Sequence, residues 1–260
     1  MCSNCRAFIT TSDKVCPYCD FKVGERAVDA RTPSDAFGGL IPHAHFTTVV
    51  ILLINAGLYA AGALSGNNNI QELGAKFGPL IREGEWWRLI TAGFLHGGLL
   101  HIAMNSWVLF DLGAQTEEQY GTARFLVFYI ISTITGFYAS MLWAPNTPSV
   151  GSSAGIFGLI GAMIALGVRS QSAHGSAVKR VYVQWAVYGL VMGFIFPYTD
   201  NAAHVGGLAG GFALAYLAGT PKLARPATEN FWKIAAGAAV ALTIAAFAMM
   251  SRGLLAGAQQ

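Results

Sequence analysis

Five tracts of this chain, 36–71, 89–110, 125–168, 201–221 and 234–251, contain no Asp, Glu, Lys or Arg. An apolar run of about 17 to 25 residues lets a helix cross a bilayer, so these tracts belong in lipid. The tract 125–168 is long enough for two crossings. Only 11% of all residues are charged, against about 25% in an average soluble chain. That deficit rules out an ordinary globular domain and speaks equally against intrinsic disorder. The formal net charge is +3 and no basic run is interleaved with aromatics, so nucleic-acid binding is not expected.

Two CxxC pairs, Cys2-Ser3-Asn4-Cys5 and Cys16-Pro17-Tyr18-Cys19, hold every cysteine of the chain. Each short loop presents two sulfurs to one ion, and two such loops complete a tetrahedral site. The pattern points to a structural zinc held by Cys2, Cys5, Cys16 and Cys19. A pair of disulfides is the alternative, and it needs an oxidising compartment. No cleavable leader is seen ahead of Cys2, and Lys22, Arg26 and Arg31 follow the cysteines, so a reducing cytoplasmic setting is expected. A closed four-sulfur site leaves no position for chemistry. The module is expected to be a folded cap, or a docking surface for a cytosolic protein.

The expected fold class is an all-α multi-pass membrane protein. A zinc-ribbon-like module fills 1–22 and a linker 23–45, six spans lie within 46–219, and a loop and seventh span occupy 220–260. The spans are placed at 46–64, 99–112, 125–143, 153–168, 181–196, 202–219 and 231–250. Between the first two lies a long connection whose Trp86-Trp87-Arg88 end suits the membrane interface, and a charged turn is expected at 113–124. With the amino terminus inside, twelve Lys and Arg residues fall on the inner side. Only Lys76, Arg82, Arg88 and Arg252 remain outside, the bias expected of this orientation in a plasma (inner) membrane.

An ionisable or polar group inside a span is costly and by default marks function. The candidates are His101, Asn105 and Asp111 in span two, Ser153 in span four and His204 in span six. Even-numbered spans descend from the external face, so Ser153, His204, His101 and Asn105 all lie at one depth. Asp111 falls at the opposite end, at the inner interface or paired within the bundle. Ser153 sits in Gly151-Ser152-Ser153-Ala154-Gly155 and opens a helix, where unpaired amides and the helix dipole favour a developing negative charge. His204 supplies a base, with Gly207 and Gly211 on its face; Gly155, Gly158 and Gly161 smooth span four, so the two helices can approach closely. His101 and Asn105, four residues apart, share a helix face and offer two donors to an oxyanion.

Each of these residues alone could be hydrogen-bonding glue between helices. Their shared depth and spacing favour a catalytic constellation. Ser152 is set about 100° around the helix from Ser153 and is not the expected nucleophile. Asp200 is read as a loop carboxylate rather than a third catalytic group, and His96, near the same surface, as an ordinary loop histidine, with a substrate-side or interfacial role as the alternative. His43, His45 and His174 lie away from the cluster. A transporter would need broken helices in an inverted repeat, which the sequence lacks.

These residues resemble the rhomboid family of intramembrane serine proteases. Gly151-Ser152-Ser153 is similar to the family's GxS motif, His101-Ile102-Ala103-Met104-Asn105 to HxxxN, Ala203-His204-Val205-Gly206-Gly207 to AHxxG, and Trp87-Arg88 to the Trp-Arg pair of its first loop. The resemblance covers roughly 85–219, including the turn residues Gly113, Glu117 and Gly121. It implies a six-helix core with Ser153 and His204 as a catalytic dyad, and an oxyanion site of His101, Asn105 and the Ser153 amide. It further implies Phe157 stacked beneath the histidine, no catalytic cofactor, and transmembrane proteins as substrates. Position 154 is Ala where many members have Gly. A catalytically silent rhomboid-like chaperone or adaptor, binding transmembrane clients, is the alternative.

Overall fold

The computed structural model describes residues 5, 15–21, 46–65, 69–170, 172–196, 199–219 and 226–257. The chain divides into two compact units, Met1–His43 and Ala44–Gln260. In the first, the described residues include the tight turn Cys16-Pro17-Tyr18-Cys19. The linker expected at 23–45, with His43 and His45, lies outside the described residues.

The second unit is helical. Its elements run α1 (Phe46–Ser65), α2 (Asn69–Gly74), α3 (Gly78–Arg82), α4 (Arg88–Thr91), a 3₁₀ turn (Ala92–Phe94), α5 (Leu99–Trp143), α6 (Ser153–Arg169), α7 (Ala173–Ile195), α8 (Asn201–Ala218) and α9 (Pro226–Gly257). Lys76 and Ser149 form an isolated β-bridge.

The segment expected to be a charged turn, 113–124, is mostly helix. α5 has 45 residues, about 68 Å at the α-helical rise and more than twice the thickness of a bilayer core. It must therefore reverse, and it does so at its middle residue, Gly121, with φ 77° and ψ 159°. That φ favours glycine. The polar side chains of 113–124 do not stop the helix because they are spent on clamps. Buried Glu117 accepts hydrogen bonds from Thr48 N (3.3 Å), Thr48 Oγ1 (3.2 Å) and Thr122 Oγ1 (2.9 Å), tying the reversal to the start of α1. Arg124 makes a two-pronged contact with Glu229 at 2.8 and 3.0 Å and lies over the Trp232 ring, tying it to the start of α9.

Three helices among the described residues are long and apolar enough to cross a membrane: Phe46–Leu64, Leu99–Trp143 and Ala227–Arg252. α6, of 17 residues, is shorter, and twelve of these are buried. A helix apolar on every side belongs in the centre of a bundle. α7 and α8, where spans five and six are expected, carry Lys179, Arg180 and Gln184, or His204 and Asn201, and fall outside that group.

α6 packs on α8 through backbone. A Cβ at Gly207 would collide with the Ala154 carbonyl, and one at Gly211 with that of Gly158. α9 packs against the connection between α1 and α5: the Phe94 and Phe247 rings meet edge-on at 5.5 Å, and a Cβ at Gly74 would lie 2.6 Å from Met250 Sδ.

Arg124 is 1% exposed and Glu229 34%. Removing one member of a buried pair strands the other, at a cost of about 3 kcal/mol. Glu229→Ala, which strands the buried Arg124 guanidinium, is expected to lower unfolding free energy by about that amount. Reversible SDS-driven unfolding in mixed micelles measures it; a wild-type value would show that the pair does not hold α9.

Candidate active site

The described part of the connection between α1 and α5, residues 69–98, is held by side chains that donate to backbone carbonyls. Arg88, buried, bonds Glu85 Oε2 at 2.6 Å and the carbonyls of Glu72 and Ala75 at 2.7 and 2.9 Å. Trp87 Nε1 donates to Leu73 O, and Thr91 Oγ1 to Gly74 O. Lys76, an outer-loop lysine in the sequence, is fully buried. Its ammonium donates to Ala144 O at 3.1 Å and Thr147 O at 2.7 Å, at the carboxyl end of α5 where the helix dipole favours a cation. Burial lowers its pKa below the ordinary lysine value, and nearby Asp200 pulls the other way.

The Lys76–Ser149 bridge and a bond from Gly151 N to Ala92 O (2.9 Å) fix the segment leading into α6. Ser153 is the first residue of α6. The helix is about 26 Å long by its rise, against the roughly 30 Å of a bilayer's hydrocarbon. Gly151 has φ 137°, and a Cβ there would lie 2.8 Å from His101 Nε2. That glycine lets the imidazole reach the entrance of α6.

On the facing helix, the His204 ring stacks on Phe157 with centroids 4.1 Å apart and 10° between planes. Phe157 is one turn from Ser153 on α6. Ser153, His204, His101 and Asn105 all line one cavity of about 1300 Å³. Asn105 is 8% exposed, and its Nδ2 donor has no hydrogen-bond partner among the described residues. No hydrogen bond joins Ser153 Oγ to His204 among the described residues, and His204 Nδ1 is unpartnered. Such bonds often tighten only when substrate binds.

The Asp200 carboxylate makes no hydrogen bond to the His204 imidazole among the described residues. That carboxylate caps α8, accepting from Ala203 N at 3.0 Å, and accepts a short hydrogen bond from Ser140 Oγ. Ser152 is buried and hydrogen-bonded to His96 Nε2 at 3.3 Å. His96 lies in the loop between the 3₁₀ turn and α5, as expected, but it is buried rather than free. It is 1% exposed, edge-on to His101 at 5.2 Å, and burial, with His101 acting in the same sense, lowers its pKa to about 3. Asp111 is exposed on the bundle surface, near Tyr182.

In the first unit, the sulfurs of Cys5, Cys16 and Cys19 lie within 4.8 Å of one another. Cys5 and Cys16 Sγ are 3.6 Å apart. Zinc–sulfur bonds of about 2.3 Å give a tetrahedral edge of about 3.8 Å, so the three sulfurs fit a zinc site. Asp20, with φ 55°, turns the chain back so that Cys16 N donates to Phe21 O at 2.9 Å. Cys2 lies outside the described residues.

The family model described as Rhomboid domain matches residues 83–221, more than half of the chain. The chain belongs to the rhomboid family. Rhomboid protease GluP of Bacillus subtilis is 36% identical over 180 residues, 68% of this chain and 35% of that protein. Rhomboid-like protease 3 of Toxoplasma gondii is 36% identical over 145 residues, 55% of each chain. Inactive RHOMBOID-like protein 8 of Arabidopsis thaliana is 33% identical over 136 residues, 52% of this chain and 38% of that one. The chain thus spans about a third to a half of these relatives' lengths. The match to the rhomboid domain takes in Trp87 through His204 and leaves out α1, α2, α3 and α9.

The capping geometry of Asp200 makes a clear expectation. Asn caps a helix as well as Asp does, so Asp200→Asn is expected to keep activity within a few-fold, whereas loss of a catalytic acid costs about 10⁴-fold. Proteolysis of a model membrane substrate decides; a 10⁴-fold loss would make Asp200 a catalytic partner of His204.

Proposed function

We propose that this rhomboid is an intramembrane serine endopeptidase that cuts peptide bonds in or beside transmembrane segments of other membrane proteins. The observation that carries this reading is the cavity shared by Ser153, His204, His101 and the unpartnered Asn105 amide. Ser153 Oγ attacks the scissile carbonyl as His204 takes its proton. The oxyanion is met by the Ser153 amide, His101 and Asn105, and His204 returns the proton to the leaving amine. Water then hydrolyses the acyl-enzyme. No cofactor enters these steps.

The cavity also suits a polypeptide substrate. Its walls include Leu99, Met104 and Trp107 of α5 and Trp185, Tyr188 and Met192 of α7, apolar side chains that are exposed in the protein and would face lipid. A substrate helix entering there must unwind to offer its carbonyl, and helix-breaking residues lower that cost. We infer seven crossings of a plasma membrane, with the amino terminus cytoplasmic and the cavity open to the extracytoplasmic side. The inference rests on the Lys and Arg bias of the sequence.

Purified protein in liposomes is expected to cleave a single-span substrate. Ser153→Ala or His204→Ala should lower turnover roughly 10³ to 10⁶-fold, and His101→Ala or Asn105→Ala on the order of 10 to 10³-fold. Wild-type cleavage by Ser153→Ala would overturn the assignment. The second reading, a silent binder of transmembrane clients, is favoured by the missing Ser153–His204 hydrogen bond and by the relative named inactive. It expects no cleavage and no labelling of Ser153 by a fluorophosphonate.

The cysteine module is proposed to hold one structural zinc through Cys16, Cys19, Cys5 and Cys2, serving as a cap or a docking surface for a cytosolic protein. Elemental analysis should find about one zinc per chain, lost in Cys16→Ser/Cys19→Ser with cleavage retained. Zinc-free wild-type protein, purified without chelator, would sink the metal.

A further inference from the structure

Ser152 stands just before α6, where a serine side chain ordinarily accepts an amide of the first helical turn. It makes no such cap. Its hydroxyl is hydrogen-bonded to His96 Nε2 at 3.3 Å and meets the Tyr129 hydroxyl, in a wholly buried position. The first backbone bond of α6 runs from Ile156 N to Ser152 O at 3.0 Å, so the amides of Ser153, Ala154 and Gly155 precede the ladder. A capping hydroxyl would take the N–H of Ala154 or Gly155. Its oxygen would also turn lone pairs into the space a substrate oxyanion needs.

We propose, building on the proteolytic reading, that His96 is a positioning residue of the oxyanion site: it holds the Ser152 hydroxyl off the start of α6 and backs the His101 ring. The amides of the first turn are thereby left bare for the carbonyl oxygen of the substrate. The same ring serves both purposes, since its edge-on contact with His101 is 5.2 Å between centroids. Gln71 Nε2, donating to the His96 carbonyl at 3.4 Å, holds the backbone that carries it. Burial keeps the imidazole uncharged, so one ring nitrogen remains an acceptor for the hydroxyl. The protein forgoes an ordinary helix cap here and leaves the helix end free.

The test is a mutant cycle on the full-length protein in liposomes, with kcat and KM separated and Tm recorded for each variant. His96→Phe removes the acceptor while filling the volume, and should lower kcat about 10-fold or more at unchanged KM, within the range for loss of an oxyanion donor. His96→Gln keeps an acceptor and should retain most activity. Ser152→Ala should cost less than about threefold, and His96→Phe/Ser152→Ala should recover part of the kcat lost in His96→Phe, because no hydroxyl remains to turn onto the amides. A double variant no faster than His96→Phe, or Ser152→Ala as slow as His96→Phe, overturns the proposal. If His96→Phe shows no thermal transition, Ser152→Asn carries the test: an uncharged side chain that caps as well as serine and reaches further should lower kcat about 10-fold or more. Unchanged kcat in a folded Ser152→Asn overturns the proposal as well. Failure of wild type to cleave, or cleavage by Ser153→Ala, sinks the proteolytic reading and this one together; the cycle sinks this one alone.

Discussion

The arrangement depends on one contact, the backbone of α8 laid on that of α6. Gly207 meets the Ala154 carbonyl and Gly211 that of Gly158, at distances no side chain could share. In lipid, helices gain little from hiding apolar surface, and association rests on close van der Waals packing. Small residues on both helices are what make that packing available. Because the contact begins at Ala154, it sets Ser153 and His204 on one cavity and brings Phe157 flat beneath the imidazole. A bulkier residue at either glycine would separate the two helices at the level of the proposed chemistry.

Around that contact the protein spends buried charge on backbone. Arg88 and Lys76 donate to carbonyls of the connecting segments, and Glu117 accepts from the first turn of α1. Irregular backbone near lipid survives only when its polar atoms find partners. These side chains let a non-helical segment stand beside Ser153 and His101 without melting. α9 braces the same segment through Phe247 and Met250, although it lies outside the part of the chain that matches the rhomboid domain.

The reversal at Gly121 shows why element boundaries are harder to read than element existence. A run of Glu, Gln and Arg looks like a surface turn, yet Glu117 and Arg124 are buried partners of Thr48 and Glu229, 69 and 105 residues away in sequence. His96 and Lys76 are loop residues whose burial has the same cause: a second loop covers each of them.

Charge-free tracts, GxS and AHxxG strings and glycines at helical spacing determined by themselves that this is a helical membrane protein. They do so because lipid tolerates few polar residues and local periodicity fixes which face each occupies. Only the tertiary structure decided that Asp200 caps a helix, that Ser152 turns to His96, and that Asn105 Nδ2 is left without a partner. Those outcomes are settled by competition among donors and acceptors far apart in the chain, and such competition has no local signature.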